Sequence, residues 1–82
     1  MKSTTPPIET FLANLEKQFE GMLAGTLRPE TEFKQMAEWS SIQSLIVLAS
    51  FNWDYEKNLP AEELRKAKTL QEIYESLFEI HS

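Results

Sequence analysis

The sequence predicts an all-α domain, a small four-helix bundle with a long loop between its first two helices and a short third helix. Two observations carry that expectation. Near both ends of the chain, apolar residues step by three, four and seven, the spacing of one buried helix face. The apolar run between them lies in this helical company with no hairpin signal, which favours helix over strand. With 82 residues, no repeats and no linker, the chain reads as one domain, 1–82, whose core spans about residues 8–80.

The first helix is carried by Ile8, Phe11, Leu12, Leu15, Phe19, Met22 and Leu23. Thr5-Pro6-Pro7 supplies a cap candidate and prolines tolerated in a first turn, and Gly21 or Gly25 is expected to end the helix. Between Thr26 and Ser40 the period weakens. Leu27, Phe33 and Met36 are the apolar anchors expected to pin this loop, with one helical turn near Phe33–Ala37. Loops of this length inside compact domains are uncommon and often functional.

The second helix is built on Ile42–Phe51 and is apolar on two sides. One stripe is Ile42, Leu45, Ile46, Ala49 and Trp53; the other is Val47, Leu48, Phe51 and Tyr55. Such a helix is either central in the core or keeps one face for a partner. Trp39 and Trp53 flank it and are expected in core or rim packing rather than as ligand platforms. Pro60-Ala61-Glu62-Glu63-Leu64 reads as a short third helix with proline in its first position. Thr69-x-x-Glu72 has the form of a capping box, and Leu70, Ile73, Tyr74, Leu77 and Phe78 supply the buried stripe of the fourth helix.

Composition removes several function classes. A net charge of −5 argues against a nucleic-acid backbone as partner. There is no cysteine, so neither disulfides nor thiolate metal ligands contribute. No apolar run approaches the roughly 20 residues of a membrane span, and the N-terminal MKSTTPPIET lacks the apolar stretch of a secretory signal. A cytoplasmic protein is the expectation. The single histidine, His81, stands next to the last residue, where chains fray, so no held base serves a nucleophilic serine. Glu62, Glu63, Glu72, Glu75 and Glu79 are spaced as solvated helix faces, and no metal site or phosphate loop is recognisable. The chain is not expected to be an enzyme.

The stretch EWSSIQSL remains, with Ser40, Ser41 and Ser44 at the border between loop and apolar helix. Ser40 at the N-cap with Gln43 three residues on has the form of a capping box and puts Ser41 first in the helix. There the positive end of the helix dipole and its free N–H groups favour a phosphate joined to the hydroxyl.

Leu27, Pro29, Thr31, Phe33, Met36, Trp39, Ser40, Ser41 and Ile42, followed by Phe51, Tyr55, Leu59 and Thr69-Leu70, resemble in order and spacing the acyl carrier protein and peptidyl carrier protein family. The resemblance covers about residues 8–80 and rests on the joint order of motifs that are individually weak. It implies a four-helix bundle of the acyl-carrier type, a cytoplasmic monomer that catalyses nothing itself. By this alignment Ser41 carries a 4′-phosphopantetheine arm derived from coenzyme A, with Ser40 as the cap beside it and Trp39 before it. The arm holds an acyl or aminoacyl group as a thioester in fatty-acid or secondary-metabolite biosynthesis. A phosphopantetheinyl transferase and the loading and transferring enzymes are the implied partners, met through Ile42, Leu45, Ile46 and Ala49. Two departures stand out. Ser40 replaces the family's aspartate, and Gln43, Ser44, Ile46, Ala49, Ser50 and Asn52 are uncharged where the second helix of many fatty-acid carriers is richly acidic. Both point to a specialised carrier with an apolar partner surface. The alternative is a carrier-like module that is never modified and binds a partner through its second helix.

Overall fold

A computed structural model, which describes residues 5–79, contains four α-helices and one 3-10 turn and, among the described residues, no strand. In chain order they are α1 (Ile8–Glu16), the 3-10 turn (Phe33–Gln35), α2 (Ser41–Tyr55), α3 (Ala61–Lys66) and α4 (Leu70–Leu77). The expected helical bundle, long loop and short third helix are all present. None of the helices is long and apolar enough to cross a membrane.

Two boundaries of α1 differ from expectation. Pro7, in extended backbone, takes the N-cap position, and Thr5 does not cap the helix. The carbonyl of Pro7 accepts from the N–H groups of Thr10 and Phe11 at 3.0 and 3.2 Å. At the other end the helix stops at Glu16, before either glycine. The N–H groups of Gln18 and Phe19 reach only three residues back, to Leu15 and Glu16, and these tighter turns carry Phe19 into the core. Buried Glu16 then pins the returning chain: its Oε2 accepts from Gly25 N–H at 3.0 Å and Leu27 N–H at 2.9 Å. Gly21 and Gly25 lie at φ of 76° and 87°, left-handed conformations that cost glycine little. This turn leaves Leu23 exposed rather than on the buried face.

The long loop is held by apolar anchors and by backbone bonds. Leu27 and Phe33 are buried and Met36 packs beside them. The expected helical turn is the 3-10 turn. Farther along, the first N–H groups of α4 use the loop as their cap. Leu70 N–H donates to the Thr31 carbonyl at 3.1 Å and Gln71 N–H to the Pro29 carbonyl at 2.8 Å, while Thr69 Oγ1 accepts from Glu72 N–H. The donors that a helix start leaves without intrahelical partners are thereby satisfied by this loop. The Glu72 carboxylate closes the other half of the cap one residue early, accepting from Lys68 N–H at 2.7 Å. Pro60 sits at the N-cap of α3 rather than at its first helical position. Glu62 and Glu63 stand at the start of α3, and Arg65 and Lys66 at its end, the order its dipole favours.

Phe11 is the centre of the core. The rings of Phe51, Tyr55, Tyr74 and Phe78 surround it with centroids 5.4 to 6.3 Å away. Those rings bring α2 and α4 onto α1, and Leu64 joins α3 to the same core cluster. Only one side of α2 takes part. Val47 and Phe51 are buried and Leu48 and Tyr55 pack against the core, as the second apolar stripe requires. The first stripe faces solvent: Ile42 is 70% exposed, Leu45 66% and Trp53 87%. The expectation of core or rim packing therefore fails for Trp53. At about 3.6 residues per turn it lies three turns from Ile42 on the same face, while Phe51 and Tyr55 on either side of it turn inward.

Candidate functional site at the start of helix α2

Ser40 has the extended backbone of an N-cap, and its Oγ accepts from Gln43 N–H at 3.1 Å. This is half of the expected capping box. The other half is absent, because the Gln43 side chain turns away and donates through Nε2 to the Gln18 carbonyl at 2.9 Å. Gln43 thus ties the start of α2 to the turns that follow α1. Ser44, one turn on, donates its hydroxyl to the Ser40 carbonyl at 3.1 Å.

Ser41 is the first residue of α2 and is exposed. Its hydroxyl is engaged by no partner among the described residues, whereas those of Ser40 and Ser44 are both committed to the helix start. Trp39 fixes the approach. It is half-buried, its ring meeting Phe33 edge-on at 4.7 Å and Phe19 at 6.1 Å. Core packing is therefore the main role of Trp39, and it holds the residue before the serines in place.

Beside these serines an open cleft of about 410 Å³ lies between the 3-10 turn, the start of α2 and the end of α3. Phe33, Trp39 and Leu64 give it an apolar lining, and Ser40, Ser41 and Ser44 form one edge. Lys34 and Arg65 line it as well, and no carboxylate does. The Lys34 ammonium donates to the Arg65 backbone carbonyl, bridging the 3-10 turn to α3, and lies 5.7 Å from the centroid of the Phe33 ring. In a chain of net charge −5, this is a local concentration of positive charge. The two cations are 31 residues apart. No local sequence pattern joins them, and neither figured among the expected site residues.

The exposed stripe Ile42, Leu45, Ile46, Ala49 and Trp53 starts next to Ser41 and runs to the far end of α2. Asp54 is the only charged residue in the helix. The four positions expected to meet a partner are thus accessible, and Trp53 extends them.

Tyr55, at the end of α2, has its phenol pKa raised above the usual 10.0, first by burial and then by the charge of Asp54, against the lowering effect of the Asn14 hydrogen bond. That group belongs to the aromatic core rather than to the serines. Among the described residues, no three His, Cys, Asp or Glu side chains converge as a metal ion would need. His81 lies outside the described residues. No family model matches the chain, and neither the curated proteins nor the solved structures give a match.

Proposed function

We propose that this chain is an acyl or aminoacyl carrier of the acyl-carrier-protein type, modified on Ser41 with 4′-phosphopantetheine and serving a specialised biosynthetic pathway. The observation that carries the reading is the exposed hydroxyl of Ser41, unpartnered among the described residues, at the head of a capped helix with an apolar stripe leading away from it. A phosphate on Ser41 would meet the positive end of α2, and Ser40 places no carboxylate against it. The cations of the adjoining cleft suit the same group.

In the modification, Ser41 Oγ attacks the phosphorus of coenzyme A that bears the pantetheine. The Oγ–P bond forms and the P–O bond to the nucleotide half breaks. The hydroxyl proton passes to a base on the transferase; among the described residues, no carboxylate or imidazole lines the cleft beside Ser41. The attached arm supplies a thiol that holds the cargo as a thioester. The carrier's own residues then do two things: the cap keeps Ser41 projected, and Ile42, Leu45, Ile46, Ala49 and Trp53 offer an uncharged apolar surface to the enzymes that load and unload the arm. A partner suited to this face presents apolar side chains rather than a basic patch.

The alternative, an unmodified module that binds through α2, draws on the same stripe and on Ser40 standing in place of an aspartate. Intact mass separates the two. Incubated with coenzyme A and phosphopantetheinyl transferases of broad specificity and of the native host, the protein gains one phosphopantetheinyl group. The gain is abolished by Ser41→Ala and retained by Ser40→Ala. A protein inert to every transferase supports the unmodified module instead. If Ser40→Asp then restores the gain, the missing carboxylate is its cause.

A further inference from the structure

Along the exposed face of α2, Ile42 and Ala49, Leu45 and Asn52, and Ile46 and Trp53 are each seven residues apart. That is the repeat along which two helices pair over several turns. The one amide among them is satisfied within its own chain, Asn52 Nδ2 donating to Asn58 Oδ1 at 3.1 Å. With a net charge of −5, two copies of the chain repel over most of their surfaces. From Ser41 to Trp53 the helix carries no charge, so this face lets two copies meet without bringing like charges together.

The stripe is also complementary to itself in one direction. Set it antiparallel to a second copy, with the two-fold axis between Ile46 and Ala49. Ile46 of one copy then meets Ala49 of the other, and Ile42 meets Trp53, a smaller side chain facing a larger one at each step. Asp54, the only charged residue in α2, falls beside the first turn of the second copy's helix. There the dipole is positive, and Lys34 and Arg65 line the adjoining cleft. A parallel pairing would instead set the two Asp54 carboxylates side by side. Overlapped along its 15 residues, the pair runs together for about 22 Å. Covering Ile42, Leu45, Ile46 and Trp53 brings the interface to about 1,000 Å² over both copies, the lower bound for a specific association.

We infer that the occupant of this face is a second copy of the chain, in a reversible two-fold symmetric dimer whose α2 helices pack antiparallel. This replaces the monomer that the carrier resemblance implies. So small an interface gives a weak pair, half associated at roughly 100 µM. The inference stands on the stripe, its charge and its register, and not on modification of Ser41. Under the carrier reading, an enzyme that uses the same face displaces the copy, and Ser41, next to Ile42, is fully accessible only in the separated chain.

Sedimentation equilibrium of the unmodified full chain, from about 1 µM to about 1 mM, reads the association. The average mass should rise from one chain to two and no further. Leu45→Gln with Trp53→Ala, both at exposed positions, should keep the urea midpoint and remain a single chain throughout. The sequence has no cysteine, so a bis-maleimide of about 10 Å, the spacing of packed helices, reads the orientation. Ser41→Cys chains mixed with Asp54→Cys chains should cross-link to each other, and neither to its own kind. These two variants keep the stripe, so the cross-linking decides the matter even if the double substitution unfolds the chain. The inference is overturned by a chain that stays single at about 1 mM, by assemblies larger than two, by association indifferent to the double substitution, or by cross-links within either variant alone. Intact mass after transferase treatment reports on Ser41 separately, so failure of the dimer and failure of the carrier reading are told apart.

Discussion

Ser40 and Ser41 are adjacent, and the structure gives them different work. Ser40 is spent on the helix, accepting from Gln43 N–H, and the Ser41 hydroxyl has no partner among the described residues. Ser40→Ala should therefore destabilise the fold by about 1 kcal/mol, and Ser40→Asp should leave stability nearly unchanged because aspartate caps equally well. Chemical denaturation of the two variants checks both. The cap was legible because it depends on a residue and its third neighbour in sequence. Gln43 bonding to Gln18, and Glu16 to Gly25 and Leu27, were not, since each side chain chose a partner that only the fold brings near. Tyr55 supplies a pH test at the same scale. Burial raises its phenol pKa in the folded state, so the folded protein favours the neutral form. The stabilisation is complete below the ordinary value of 10.0 and is lost as pH rises through the raised folded value. Urea midpoints at about pH 9 and about pH 11 should fall further for the parent protein than for Tyr55→Phe.

At the scale of the element, the two faces of α2 differ: one is buried in the core and the other is exposed. Phe51→Ala should cost about 3–5 kcal/mol, since it empties a ring position against Phe11. Trp53→Ala removes a larger side chain yet should change stability by less than about 0.5 kcal/mol, because that ring is 87% exposed. On the proposed carrier function, the same substitution should slow acyl transfer to or from a partner enzyme, a difference visible by comparing denaturation curves with transfer rates. Both stripes were legible from spacing, and so was the choice between a central helix and one with a face kept for a partner. Which stripe is buried was not, and Trp53 was misplaced for that reason: aromatic size suggests burial, but position on the helix decides it. The early end of α1 was also illegible, because Phe19 continues the apolar period while its backbone has already passed into tighter turns. Helix existence survives such local changes; helix ends do not.

The whole molecule is a small bundle closed around one phenylalanine and its ring of aromatics, with a long loop that doubles as the cap of α4. That loop carries Phe33 and Trp39 inward, and by doing so it delivers Lys34 and Ser41 to one cleft with Arg65 from α3. The bundle and the candidate serine were within reach of sequence reasoning, because periodicity and order along the chain are local records of them. The cleft was not, since its two cations come from segments that meet only after folding. An 82-residue chain has little stability to spare, so an uncovered Ile42, Leu45 and Trp53 on its longest helix calls for a use. The most direct measurement is the intact and fragment mass of the protein isolated from the cells that make it. The carrier assignment predicts a population bearing one phosphopantetheinyl group, with fragments locating it on Ser41 and not on Ser40 or Ser44. Protein found only in unmodified form, or modified at another residue, would contradict it.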